Sequence, residues 1–126
     1  MAFPSTYNFN YYRGDFYQFV IRPKTTNGQQ FNLSSFTTAN GGSALFKIAS
    51  ARGKINPYTQ YTGTVTVDST EGTVTCTLSP TEGRKLSPGS WVYDIEISNS
   101  GGTIVYTLLT GTITVTEEIS GANLQT

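Results

Sequence analysis

The sequence contains no histidine, and it has one cysteine, one methionine and one tryptophan. Charged residues make up only 13% of it, and Lys+Arg number 8 against 8 for Asp+Glu. Each shortage removes a class of function. Without histidine there is no Ser-His-Asp or Cys-His machinery and no histidine-based zinc site. One cysteine makes no internal disulfide, CxxC pair or cysteine metal cluster. Zero net charge argues against a general nucleic-acid binder, which shows a basic excess. No apolar run approaches the roughly 18 residues needed to span a bilayer as a helix, so no membrane partner is expected. Met1-Ala2-Phe3-Pro4 lacks the basic-then-apolar pattern of a signal peptide. Synthesis in a reducing cytoplasm is the expectation.

What is present is hydroxyls and rings. There are 21 threonines, 12 serines and 13 glycines in 126 residues, a length that fits one domain. The surface must be wetted mostly by hydroxyls. The dominant pattern is period-two alternation of β-branched and aromatic residues. In Trp91–Ser98, residues Trp91, Tyr93, Ile95 and Ile97 share one face, while Val92, Asp94, Glu96 and Ser98 share the other. Thr73–Leu78 sets Val74, Cys76 and Leu78 against three threonines. Thr112–Thr116 repeats the scheme with Ile113 and Val115, and Thr64–Val67 is a shorter version. Phe16–Arg22, which carries Phe19 and Ile21, Leu45–Ile48 and Ile104–Leu109 also read as strands. Tyr7–Tyr12 reads as an edge strand or a strand-like arm. The expected core is therefore Phe19, Ile21, Val74, Cys76, Leu78, Trp91, Tyr93, Ile95, Ile97, Ile113 and Val115.

Turn signals fall between the runs. Asn27-Gly28, Asn40-Gly41-Gly42, Glu71-Gly72, Pro88-Gly89 and Ser100-Gly101-Gly102 supply residues that tolerate positive φ. Ser100-Gly101-Gly102 reads as a hairpin loop. Gly111 interrupts the last alternating run and predicts a bulge or bend. One helical turn is expected after Ser79, with Ser79 as N-cap, Pro80 at the first position and Glu82 as the capping-box acid. The whole reads as all-β, an immunoglobulin-like antiparallel β-sandwich of about seven or eight strands. The expected division is an aromatic arm or edge strand at 1–12, a sandwich domain at 13–119 and a flexible tail at 120–126.

Candidate chemistry is thin. Asp94 and Glu96 lie two apart on one strand face, and could hold calcium or act as paired glycosidase carboxylates. No further acid lies near them in sequence, so two solvated acids are the expected state. Cys76 alternates with Val74 and Leu78 and reads as a small buried hydrophobe without a histidine to activate it. Arg13-Gly14-Asp15 spells an integrin-recognition tripeptide, but short motifs recur by chance, and a glycine turn before a strand accounts for it. Asn32-Leu33-Ser34 is a glycosylation sequon that a protein without a signal peptide does not use. No cofactor or metal site is expected, and no enzyme activity.

The N-terminus is different. Phe3, Tyr7, Phe9, Tyr11, Tyr12, Phe16, Tyr17 and Phe19 crowd into the first 19 residues. That density exceeds what one strand buries in its own domain, and aromatic residues are enriched at protein interfaces. Phe3, Tyr7, Phe9, Tyr11 and Tyr12 are therefore interface candidates, with Tyr58 and Tyr61 from the Asn56–Tyr61 loop. Packing of alternate members in the core competes with this, as does stacking on sugar rings. Charge is also divided along the chain. Residues 1–85 hold eight bases and four acids, a net of +4, and residues 86–126 hold four acids and no base, a net of −4. A neutral but polar protein associates with copies of itself or with a neighbour of matching polarity.

An ordered set of segments resembles one known group. It comprises Arg13-Gly14-Asp15-Phe16-Tyr17-Gln18-Phe19, Gly28-Gln29-Gln30-Phe31-Asn32-Leu33-Ser34, Val74-Thr75-Cys76-Thr77-Leu78-Ser79, Leu86–Ile97 and Thr107–Val115. Together they are similar to small immunoglobulin-like virion structural proteins of tailed bacteriophages, including the N-terminal domain of phage baseplate upper proteins, of cyanophage type. The resemblance covers roughly residues 7–119. Trp91 stands where the pattern usually has Tyr, and Asn32 where it usually has Asp. The resemblance implies a non-enzymatic virion part in multiple copies, on the tail, the baseplate or the capsid surface as a decoration. It implies other virion proteins and copies of itself as partners. The alternative is a carbohydrate-binding module that contacts a host glycan.

Overall fold

The computed structural model describes residues 5–25, 27–50 and 61–117. Among the described residues the chain forms β1 (Ser5–Thr6), β2 (Phe9–Tyr12), β3 (Tyr17–Ile21), β4 (Ser43–Ala49), β5 (Tyr61–Asp68) and β6 (Thr73–Leu78). The helical turn α1 (Pro80–Gly83) follows, then β7 (Gly89–Ser98) and β8 (Val105–Thr116). Short 3-10 turns occupy Ser34–Phe36, Thr38–Asn40 and Ser100–Gly102. The fold is all-β: one curled mixed sheet in the order β1-β8-β7-β4-β5-β6-β3, with β2 also on β8. β1 and β2 run parallel to β8, and the remaining pairings are antiparallel.

Alternation decides which residues enter the interior. On β6, Val74, Cys76 and Leu78 are buried while Thr73, Thr75 and Thr77 face outward. β5 matches it, with Thr64 opposite Thr77 and Thr66 opposite Thr75 on the outer face. β5 also pairs with β4 through Tyr61–Gly63, so it joins the two parts of the sheet. On β7, Tyr93, Ile95 and Ile97 are fully buried. Each such side chain contributes about 1.5–3 kcal/mol by leaving water.

Tyr93, Ile95, Ile97, Ile113, Val115, Val74, Cys76 and Leu78 thus lie in the core. Phe19, Ile21 and Trp91 differ from expectation: they pack against the core but stay only partly buried. Phe19 and Ile21 sit on β3, which among the described residues pairs with one strand, and Trp91 lies near the start of β7.

The last strand also differs from expectation. Ile104–Leu109 and Thr112–Thr116 are not separate runs bent at Gly111; β8 is continuous through it. The irregularity lies at Leu108, because Ile95 pairs with Leu109 while Glu96 pairs with Thr107. The extra residue lets Leu108 and Leu109 both be buried. Gly111 is required for another reason. A Cβ there would lie 2.0 Å from the carbonyl oxygen of Tyr7 and 3.0 Å from the Tyr93 ring. Its missing side chain is what lets the N-terminal strand lie against β8.

Local signals act as chemistry dictates. Ser79 Oγ accepts a hydrogen bond from the Glu82 amide at 3.2 Å, and Pro80 opens α1. The Ser100–Gly102 turn joins β7 to β8, and the Asn99 side chain accepts from the Ile104 amide at 2.8 Å. No helix among the described residues is long and apolar enough to cross a membrane.

Candidate functional site

The N-terminal aromatics form a cluster of rings with partners on several strands. β2 is parallel to β8, with Phe9 opposite Ile113 and Tyr11 opposite Val115. Period two then sends Phe9 and Tyr11 inward and Asn10 and Tyr12 outward. Phe9 stacks on Tyr17 of β3 with ring centroids 4.5 Å apart and planes at 9°. It also meets Phe19 at 5.6 Å and Tyr93 edge-on at 5.4 Å. Such ring pairs contribute about 0.5–1.5 kcal/mol beyond their buried area. The cluster is the joint where the two ends of the curled sheet meet.

Its polar atoms are satisfied. The Tyr7 and Tyr17 hydroxyls lie 2.6 Å apart. Burial, and then the hydrogen bond and charge of Tyr7, push the Tyr17 phenol up to about 12. Tyr93 donates its hydroxyl to the Tyr7 carbonyl. Tyr11 donates to the Asp15 carbonyl at 2.6 Å. The Tyr11 ring lies over Gly83, where a Cβ would overlap the phenol oxygen.

This corrects part of the interface assignment. Phe9 and Tyr11 are buried in the protein's own core and offer no ring to a partner. Tyr12 is 56% exposed and Tyr7 37%, so these two remain on the surface. Tyr61 is half-buried and meets Trp91 edge-on at 5.4 Å, while the Trp91 indole donates to the Ser87 carbonyl at 2.9 Å. Phe3 and Tyr58 lie outside the described residues.

Among large apolar residues that sequence reasoning did not single out as interface candidates, Leu45, Ile104 and Val105 are exposed, and so are two at the β3 edge. Phe16 is 62% exposed and Val20 is 44% exposed. The signal was available in parity: on β3, Tyr17, Phe19 and Ile21 face the interior, which leaves Val20 and the preceding Phe16 outward. An apolar cleft of about 390 Å³ lies beside Val20, lined by Tyr7, Phe19, Val20, Ile21 and Leu109. A second cluster was also missed. Phe31, Phe36 and Tyr106 form a ring group with centroids 5.7–6.2 Å apart, seated beside buried Leu33. The Phe31-x-Leu33 alternation was the readable sign.

The remaining candidates have structural partners. Arg13 Nε donates to the carbonyls of Arg84 and Leu86, each at 3.1 Å, and Nη1 lies 3.4 Å from Glu117 Oε1. The Arg of the Arg-Gly-Asp tripeptide therefore clamps the loop after α1 and is not presented outward. Asn32 Oδ1 accepts from the Ser34 amide at 3.0 Å in a local turn. Asp94 and Glu96 share the outer face of β7, where Asp94 stands opposite Lys47 of β4. Arg13–Glu117 and Lys47 opposite Asp94 show how folding interleaves the two oppositely charged parts of the sequence. No three acids or thiols come together as a metal-binding group among the described residues. Cys76 is buried, and burial pushes its thiol up to about 12. A polar cavity of about 240 Å³ is lined by Ser34, Ser35, Asn40, Asn99 and Ser100.

No protein-family model matches the sequence, and no curated protein does. Among solved structures, the chain is similar to a family 123 glycoside hydrolase from Clostridium perfringens, whose description concerns glycolipid glycan hydrolysis. The TM-score is 0.41 at 15% identity, over 91% of this chain and 23% of that one. The chain thus spans less than a quarter of the hydrolase, and a likeness this distant carries no argument about function.

Proposed function

We propose that this protein is a non-enzymatic structural part that acts by assembling with other proteins. In this reading it is a virion component of a tailed phage, on the tail or baseplate or as a capsid decoration. The observation that carries it is the exposure of four large side chains, Tyr7, Tyr12, Phe16 and Val20, along the N-terminal stretch that supplies both edges of the sheet. A surface of this kind favours protein contact. The ordered sequence segments that resemble phage immunoglobulin-like domains supply the virion context.

The immunoglobulin-like sandwich belongs to the same proposal. Its support is that β3, β6 and β5 form one run and β4, β7 and β8 another, with β5 shared between them. Rings on β3 meet rings of the other run across the interior: Phe19 lies 5.9 Å from Phe46 and 6.2 Å from Tyr93. Mass spectrometry of purified particles tests the function. The protein is expected among the virion components; its absence from particles overturns the reading.

Glycan binding is the second reading, and the polar cavity beside Asn40 and Asn99 is what favours it. It is the weaker of the two. Asn99 spends its amide on Thr103 and Ile104, Asn40 donates to the Ser34 carbonyl, and no aromatic ring among the described residues lines the cavity. A glycan array separates the readings, since the cavity makes binding there sensitive to Asn99→Ala.

A further inference from the structure

β3 ends the sheet. It pairs with β6 through five consecutive residues, Tyr17 to Ile21, without a register shift, and no other strand among the described residues pairs with it. An open edge of this length is a template for another strand, so proteins commonly protect one with an inward charge, a proline, a bulge or a lysine. Tyr17–Ile21 carries none of these. Its outward side chain Val20 is 44% exposed, Phe16 just before it is 62% exposed, and the apolar cleft opens beside it.

The charges sit at the two ends of this edge. Asp15 lies before the strand, and Arg22 and Lys24 lie after it, all exposed. Arg13 does not cancel Asp15, because its guanidinium is held by Arg84, Leu86 and Glu117. An edge that is acidic at its start and basic at its finish is self-complementary when two copies run antiparallel. A parallel pairing would put like charges together, which is unfavourable.

We infer that β3 is a self-pairing edge, joining two copies of this chain antiparallel about a two-fold axis. The inference deepens the assembly reading and rests on it, since it names a second copy as the partner. An isologous contact uses the same patch on both copies. With Phe19 opposite its own copy, Phe16 meets Arg22 of the second copy, and Gln18 meets Val20. Asp15 then lies at the Arg22–Lys24 end of the other chain. Main-chain hydrogen bonds supply the affinity, and the end charges supply the direction. Phe16 gains the Arg22 guanidinium as a cation–π neighbour.

The test is analytical ultracentrifugation of the full chain over a concentration range reaching about 1 mM, where even weak pairing is visible. The expected result is a monomer–dimer equilibrium. Val20→Lys places a lysine on each edge at the junction and is expected to weaken pairing at least tenfold, with unchanged thermal unfolding of the dilute monomer. Asp15→Arg and Arg22→Asp are each expected to weaken it, and the double swap to restore it. A monomer at every concentration overturns the inference, as does a dimer indifferent to Val20→Lys and to the swaps. Particle mass spectrometry keeps the two claims apart: a monomeric protein still found in virions defeats the self-pairing edge and leaves the assembly reading standing.

Discussion

β2 and β3 are both edge strands made from one aromatic-rich stretch of sequence, yet they end up differently. β2 lies on β8 with Phe9 and Tyr11 sealed beneath it. β3 lies on β6 with Tyr17, Phe19 and Ile21 only half-buried and Val20 in water. The cause is position. β2 runs along the long last strand, over Tyr93 and the interior, whereas β3 borders the apolar cleft. An aromatic count therefore shows how much ring surface needs burying, but pairing decides which strand buries it.

The largest expected effect breaks or keeps that contrast directly. Phe9 is 7% exposed and touches four other rings, so Phe9→Ala is expected to cost about 3–5 kcal/mol in urea unfolding. Phe16→Ala, at 62% exposure, is expected to stay within about 0.5 kcal/mol. Equal losses at the two positions would mean that both edges belong to the core. One consequence concerns truncation: removing residues 1–12 also removes Phe9 and Tyr11, so it lowers stability as well as any assembly. Point changes at Phe16 or Val20 are the cleaner probes of an interface.

A smaller effect tests why the N-terminal edge lies so close. Gly111→Ala puts a methyl against the Tyr7 carbonyl and is expected to cost about 1–3 kcal/mol. Because the strain falls on the β1–β8 contact, hydrogen exchange should speed up at the Tyr7 amide, which donates to the Thr110 carbonyl at 3.0 Å. Exchange at the β3 amides bonded to β6 should stay slow. Uniform acceleration would show that the two edges open as one unit.

Smaller again is the phenol of Tyr11. Tyr11→Phe removes the hydroxyl that donates to the Asp15 carbonyl, and a hydrogen bond of this kind contributes about 1 kcal/mol. Tyr12→Phe, on the outward face of the same strand, is expected to change nothing in the same melt. A loss at Tyr12 would mean that its outward hydroxyl has a partner that matters to the fold.

Most of the strand content was legible because side chains alternate with period two. β6 spans Thr73–Leu78 as its pattern states, and the inward residues of β7 follow parity. Ser79 and Pro80 announced α1 for the same local reason. What sequence could not carry was long-range. Gly111 looked like a break because the approach of Tyr7, more than 100 residues earlier, is invisible along the chain. Phe9 and Tyr11 looked like interface because nothing local says that β2 will lie parallel on β8. The exposed residues that matter most to the proposed interface, Phe16 and Val20, follow from parity once β3 is known to be an edge.

The smallest expected effect lies in alkali, where the joint between the two edges has its own titration. The Tyr17 phenol is pushed up from 10.0 to about 12, first by burial and then by its hydrogen bond with Tyr7. In the unfolded chain it loses its proton near the ordinary value, so the unfolded state gains first as the pH rises. The stability this phenol provides is therefore complete below about pH 10 and is lost progressively toward about pH 12, where the folded phenol also ionises. Tyr17 is only partly buried, so water screens much of the effect. Urea unfolding between those limits should show a shallower decline in Tyr17→Phe than in the parent. Cys76→Ala is needed in both arms, because the buried thiol, pushed up from 9.0 to about 12, declines over an overlapping range. If Tyr17→Phe leaves the decline unchanged, the phenol at the joint is solvated, and the β2–β3 contact is held by ring stacking without its hydroxyl pair.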